Sequence, residues 1–247
     1  IPHLYALNIK KSCFFAKYVR YLGAVLGDGK IFTDPDKVQA MVDLKVDPNL
    51  KSIRGFLGMT GFYRRWISGY ASYAKPLTDL LKKGVNIASE WGAAQNEAVL
   101  DLKKALMSYP VLQQPKQGIP FVIASDASDY ATGAVLGQVV DGKMVAIAYT
   151  SGALRGPEKN YSVQEKEALG VIRAVKAFNH YILASPFEIR LLTDHQSLKF
   201  LHTQKGLAGR MARWAMLLAE YSATVKYLKG SENHVADALS RLIDSPS

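Results

Sequence analysis

Cysteine is nearly missing: one residue, Cys13, in a chain of 247. That excludes an internal disulfide framework and a cysteine-rich zinc site, and leaves a reducing compartment as the expected setting. Cys13 itself, between Ser12 and Phe14, reads as a small buried hydrophobe rather than a nucleophile. Long apolar runs are missing too. None approaches the roughly 18 residues that cross a bilayer, and Ile1-Pro2-His3 lacks the basic and apolar segments of a secretory signal. The expectation is an intracellular chain, not secreted and with no membrane partner. No glycine-rich loop with a following Lys-Ser or Lys-Thr occurs, so Gly27-Asp28-Gly29 reads as a turn and not as a phosphate cradle. Internal repeats and low-complexity segments are absent. What remains is 49% hydrophobic and 21% charged with a mean hydropathy of −0.01, which is ordinary globular composition. The length suffices for one or two cores and excludes disorder, collagen or coiled coil as the whole account.

Acids are outnumbered. Lys and Arg total 31 against 21 Asp and Glu, a formal charge of +10 and a pI near 9.5, which favours a polyanionic partner. The excess is uneven: residues 1–115 carry +7 and residues 116–247 carry +3.

The hydrophobic period divides the chain at about the same place. The apolar stretch Tyr21 to Leu26 meets Gly27-Asp28-Gly29 and then Lys30-Ile31-Phe32, a β-hairpin over the first 32 residues. Thr33 before Asp34-Pro35-Asp36 reads as the N-cap of a helix on which Val38, Met41 and Val42 recur at helical spacing. Ile53, Phe56 and Leu57 form a second helical face, Phe62 to Ile67 a third short element, and Val99, Leu102 and Leu106 a helix over about 94–107. Residues 33–115 are therefore expected to be mostly helical. Three prolines and a glycine between Tyr109 and Pro120 mark the boundary. Beyond it the period becomes extended, with strands at Ile119 to Ala124, Gly133 to Val140 and Lys143 to Tyr149 and a turn at Asp141-Gly142. A long helix over Ser162 to Ile182, a strand at Glu188 to Thr193, helices at Gln196 to His202 and Arg210 to Tyr221, a strand at Thr224 to Leu228 and a helix from about Asn233 complete the order βββαβααβα. The expected fold class is α/β, a mixed sheet flanked by helices.

Four acids stand where strands end or helices begin: Asp126, Glu167, Asp194 and Asp237. Such ends are where α/β proteins place their chemistry. Converging carboxylates repel one another unless a cation neutralises them, and hard oxygen donors without cysteine or paired histidine select Mg²⁺ or Mn²⁺. Two such ions together can activate a water and steady the leaving oxygen of a phosphodiester. Spacing alone favours solvated acids and helix caps, because acids at helix starts are common.

The local wording is more specific. Asp126-Ala127-Ser128-Asp129, Tyr161-Ser162-Val163-Gln164-Glu165-Lys166-Glu167, Thr193-Asp194-His195-Gln196-Ser197-Leu198 and Asn233-His234-Val235-Ala236-Asp237-Ala238-Leu239-Ser240-Arg241 occur in that order. The set resembles the RNase H domain of Ty3/gypsy-type retrotransposon reverse transcriptases. Tyr21-Leu22-Gly23, Phe56-Leu57-Gly58, Phe62-Tyr63-Arg64-Arg65-Trp66-Ile67 and Lys75-Pro76-Leu77-Thr78-Asp79-Leu80-Leu81 are similar to the end of the palm and the thumb of the same polyproteins. The resemblance implies a palm-end hairpin over 1–32, a helical thumb or connection-like domain over 33–115 and an RNase H-like fold over 116–247. It implies hydrolysis of RNA paired to DNA, with Asp126, Glu167, Asp194 and Asp237 holding two Mg²⁺ or Mn²⁺ ions. Its implied partners are an RNA–DNA hybrid, the upstream polymerase part of the same polyprotein and, in a dimeric enzyme, a second subunit; its implied location is a cytoplasmic particle or the nucleus. Polymerase chemistry in this family needs a Tyr-x-Asp-Asp hairpin, and no Asp-Asp pair occurs in the chain. The chain alone is therefore expected not to polymerise, and it reads either as a fragment of a larger reverse transcriptase or as a remnant that kept thumb and RNase H.

Other residues take secondary roles. Arg54, Arg64 and Arg65, interleaved with Phe62, Tyr63 and Trp66, are expected to face nucleic acid while the aromatics pack. Arg210 and Arg213 form a similar set, with Trp214 as a packing anchor. His195 and His234 read as surface or substrate-adjacent side chains near helix starts, and by the resemblance Tyr227 stands where retroviral and cellular RNases H usually carry a histidine. The competing class is a non-catalytic binding subunit or a host-adopted remnant. DNA-directed chemistry of the integrase type is disfavoured by the fourth carboxylate.

Overall fold

The computed structural model describes Ser12 and residues 14–108, 111–193, 209–221 and 223–227. Asp194, His195, His234, Asp237 and Cys13, and the helices expected at 196–202 and beyond Asn233, lie outside the described residues.

The first sheet is built on tight turns. Strands β1 (Tyr18–Tyr21), β2 (Ala24–Gly27) and β3 (Lys30–Thr33) pair antiparallel in sequence order, and β4 (Leu112–Gln113) returns to pair with β3. Both connecting loops have two residues at positive φ, Leu22 at 47° and Gly23 at 79°, then Asp28 at 49° and Gly29 at 70°. That backbone matches the right-handed twist of the flanking strands. Tyr21 to Leu26 is therefore not one strand, as its apolar pattern suggests, but two strands around a turn. Thr33 closes β3, and the N-cap is the next residue: the Asp34 carboxylate accepts from the Asp36 N–H at 3.1 Å.

Helices α1 (Pro35–Asp43), α2 (Leu50–Phe62), α3 (Tyr70–Asp79), α4 (Ile87–Glu90) and α5 (Ala93–Met107) fill the rest of the first half. Asn49 caps α2 by accepting from the Ser52 N–H at 2.8 Å, and Ile53, Phe56 and Thr60 form the buried face. Past Phe62 the chain tightens into a 3₁₀ turn, Tyr63–Arg65. The tighter turn rotates successive side chains by about 120° instead of 100°, so the aromatic facing inward is Tyr63, 3% exposed, while Phe62 is 52% exposed. The expectation that these aromatics are buried thus holds for Tyr63 and Trp66 and not for Phe62. Tyr63 donates its hydroxyl to the Gly23 carbonyl at 2.8 Å, tying helix to hairpin.

The second sheet runs in the order β7-β6-β5-β8-β9, with β5 (Phe121–Ala127), β6 (Ala131–Val140) and β7 (Lys143–Ala153) antiparallel and β8 (Ile189–Thr193) and β9 (Ala223–Tyr227) parallel to β5. The helix expected over Ser162 to Ile182 is α6 (Val163–Ala177) followed by a short α7 (Asn179–Ile182), broken where Phe178 leaves helical geometry. Helix α8 (Gly209–Glu220) precedes β9.

Side-chain alternation buries both faces of this sheet. Ile123, Leu136, Ile147, Ile189 and Leu191 pack with Ala168, Ile172 and Val175 of α6. From the opposite face, Ala124, Val135 and Tyr149 join Ile53, Phe56, Leu77, Leu102 and Leu112 of the first half in one hydrophobic cluster. The core is thus continuous across residue 115. The result is an α/β architecture on a mixed sheet.

Candidate active site

Asp126 was expected just past a strand and instead lies inside one. The β5–β6 ladder extends to Ala127↔Thr132, with Asp126 opposite Gly133. The extension follows from the turn that closes it. Ser128 donates its N–H to the Ala131 carbonyl at 2.8 Å, and its hydroxyl oxygen accepts from the Ala131 N–H at 3.1 Å, so the four residues after Ala127 are bound to one another. The Asp126 carboxylate is exposed and accepts the Ala127 N–H at 2.8 Å.

Glu167 arrives from α6, whose start is set by a capping box. The Ser162 hydroxyl oxygen accepts the Glu165 N–H at 3.3 Å while the Glu165 carboxylate accepts the Ser162 N–H at 2.9 Å. Glu167 is only 6% exposed, unusual for a carboxylate. Helix and strand meet closely at Gly170, where a Cβ would lie 3.6 Å from the Asp126 carbonyl oxygen and 3.8 Å from Thr132. Glu167 is three residues earlier on α6, on the same helical face, and its side chain leans toward the N-terminus. Asp126 and Glu167 are thereby brought to one end of the α6–β5 contact.

The same helix and the turn after β5 are joined by a pair that sequence reading missed. Lys166 is buried, yet its ammonium reaches Asp129 Oδ1 at 2.7 Å in the β5–β6 turn. The hydrogen bond and charge of Lys166 hold the Asp129 carboxyl below the usual aspartate range. The available signal was a lysine in the first turns of a helix, where the helix dipole disfavours a cation.

β8 lies parallel to β5 with Leu192 opposite Ala124, so the strand preceding Asp194 in sequence ends beside the strand that carries Asp126. Tyr227 closes β9, opposite Thr193. Among the described residues, no three His, Cys, Asp or Glu side chains group as a metal site. The donors that are described are carboxylates alone, which fits a hard divalent cation, and a carboxylate as buried as Glu167 fits a site that a positive charge completes.

The five arginines separate. Arg64 donates to the Ser151 carbonyl and lies over the Tyr70 ring at 5.6 Å; Arg65 donates to the Tyr181 hydroxyl at 3.0 Å and lies over Trp66 at 5.1 Å. Arg64 links the first half to β7 of the second sheet and Arg65 links it to α7. Arg210 pairs with Glu165 at 3.2 Å and covers the Tyr161 ring at 4.0 Å, beside Trp214. Arg54 and Arg213 are exposed and make no hydrogen bond or ion pair with the described residues.

Residues 116–221 match the family model of the RNase H-like domain found in reverse transcriptase. The chain is homologous to Ty3/gypsy-type transposon polyproteins and contains their RNase H-like domain. It is 41% identical over 236 residues to the retrovirus-related Pol polyprotein from transposon 297 of Drosophila melanogaster, covering 96% of this chain and 22% of that protein. It is 36% identical over 245 residues to the transposon opus polyprotein of the same fly, covering 96% and 24%, and 32% identical over 241 residues to the transposon Tf2-3 polyprotein of Schizosaccharomyces pombe, covering 96% and 18%. The chain therefore spans about a fifth of the length of the curated relatives it matches. Among solved structures, the foamy viral protease-reverse transcriptase in complex with RNA/DNA hybrid superposes with a TM-score of 0.73 at 20% identity, covering 96% of this chain and 32% of that one. The same enzyme with double-stranded DNA gives 0.73 at 22% identity over 90% and 47%. These likenesses establish the fold.

Proposed function

We propose that this part of a retrotransposon polyprotein is a divalent-cation-dependent ribonuclease H that cuts the RNA strand of an RNA–DNA hybrid. The observation that carries the reading is a nearly buried Glu167 on α6, one turn before the Gly170 that packs on the Asp126 backbone, inside the domain matched to reverse-transcriptase RNase H. Asp126, Glu167, Asp194 and Asp237 are the residues that hold Mg²⁺ or Mn²⁺. The ions supply Lewis-acid chemistry, lowering the pKa of the attacking water and offsetting charge on the leaving oxygen. The chain's own residues set where this happens: α6 packs on β5 with Gly170 over Asp126, and Arg54 and Arg213 offer free guanidinium groups to backbone phosphates. Selection of the RNA strand rests on the 2′-hydroxyl beside the scissile phosphate. With no Asp-Asp pair, the chain alone performs no polymerisation.

The test is incubation of the purified chain with a labelled hybrid, with and without Mg²⁺, beside a DNA–DNA duplex. Hybrid should be cut only with the metal, and Asp126→Asn should abolish cutting. Undiminished cleavage by Asp126→Asn removes the carboxylate assignment. Comparable cleavage of the DNA duplex moves the chain to integrase-type chemistry, and metal-independent binding without cleavage makes it a binding subunit.

A further inference from the structure

Lys166 breaks two rules at once. It is a lysine only 8% exposed, and it sits in the first turns of α6, where the aligned peptide dipoles disfavour positive charge. Local violations of this kind mark positions where function outweighs local stability. Its partner, Asp129, belongs to a turn that is not free to drift. Ser128 closes that turn by its backbone and hydroxyl bonds to Ala131, and Asp126 lies three residues before Asp129 on the adjoining strand. Lys166 is likewise rigidly tied to its neighbour Glu167 by the helix. The ion pair therefore joins the two short rigid pieces that carry the two carboxylates.

We propose that Lys166 and Asp129 are positioning residues of the carboxylate site, their ion pair fixing the turn that follows the Asp126-bearing strand onto the Glu167-bearing helix at the separation a divalent cation requires. The proposal rests on the reading of Asp126 and Glu167 as cation ligands. Neither Lys166 nor Asp129 needs to touch the cation. Lys166 offers only a positive charge, which by itself repels one, and Asp129 has its carboxylate committed to Lys166.

That repulsion makes the test decisive in sign. If Lys166 acted through charge alone, Lys166→Met would tighten cation binding; if it positions the carboxylates, Lys166→Met weakens it. The readout is Mn²⁺ binding by the intact chain without nucleic acid, followed by the loss of the free-ion electron paramagnetic resonance signal. Melting temperature is recorded alongside. Expected are loss of site binding in Asp126→Asn, about tenfold weaker binding in Lys166→Met and in Asp129→Asn, and recovery of most affinity in the swapped pair Lys166→Asp with Asp129→Lys. Asp129 is exposed, so Asp129→Asn leaves the fold in place and its melting temperature near that of the parent chain. Binding in Lys166→Met as tight as or tighter than in the parent, while Asp126→Asn has lost it, overturns the positioning role and leaves the carboxylate reading standing. Full Mn²⁺ binding by Asp126→Asn overturns both.

Discussion

Arg54 and Arg65 look alike in the sequence, both on a basic stretch interleaved with aromatics, yet they differ in what their guanidinium groups touch. Arg65 reaches Tyr181, 116 residues away, and Arg64 reaches Ser151, 87 residues away, whereas Arg54 faces solvent. A free cation on the surface can neutralise a phosphate and release its counterion; one already engaged gives up a hydrogen bond to do so. Arg54→Ala should thus weaken hybrid binding and lower the slope of log affinity against log salt by about 1, with an unchanged melting temperature. Arg65→Ala should leave that slope alone and cost about 1–2 kcal/mol of stability. Reversal of the two results would return Arg65 to the nucleic-acid face. Partners this distant in sequence leave no local pattern, so the division among the arginines was not legible before the fold. Asp126 and Glu167 could be singled out as candidates, because each stands in a short string of characteristic wording. The ion pair was not legible, since Asp129 and Lys166 belong to two different strings.

At the scale of elements, legibility follows turn chemistry. Asp28-Gly29 and Asp141-Gly142 announce hairpins because both residues tolerate positive φ. Leu22-Gly23 adopts the same backbone with a leucine at φ 47°, which no composition rule anticipates. Leu22 is 74% exposed and so contributes little packing. Leu22→Asn should therefore relieve backbone strain and stabilise the chain by about 0.5–1 kcal/mol in urea unfolding; a loss of stability would show that the exposed leucine is covered by something. Gly137 carries the opposite lesson. The β6–β7 register shifts at Leu136/Gly137, and a Cβ on Gly137 would sit 2.6 Å from the Val145 carbonyl oxygen. Gly137→Ala should cost about 1–3 kcal/mol through displaced backbone, read as a lower unfolding midpoint at constant m-value. At Gly170 a Cβ would meet only ordinary contacts, so Gly170→Ala should be neutral or mildly stabilising.

For the molecule as a whole, the composition break near residue 115 marks a change of period and charge but no break in the core. Ala124, Val135 and Tyr149 belong to the cluster of the helical half, Arg64 and Arg65 cross to Ser151 and Tyr181, and the Ala71 N–H donates to the Ser151 hydroxyl at 2.9 Å. Burial raises the phenol pKa values of Tyr63, Tyr70, Tyr73 and Tyr149 in and around this shared core. The unfolded chain begins to ionise its tyrosines near pH 10 while the folded chain still holds those protons, so stability should be flat on their account below about pH 10 and fall above it. Tyr149→Phe, which keeps the ring, should make that alkaline decline shallower. A continuous core also implies one cooperative transition. Trp66 and Trp91 report on the first half and Trp214 on the second, so single-tryptophan variants should melt at the same midpoint. Residues 116–247 expressed alone should then melt lower and bind a hydrophobic dye through the uncovered face of Ala124, Val135 and Tyr149. Two separate midpoints in the intact chain, or an isolated C-terminal part as stable as the whole, would show that the shared cluster is a contact between independent units; a single midpoint makes the helical half a structural wall of the sheet that carries Asp126.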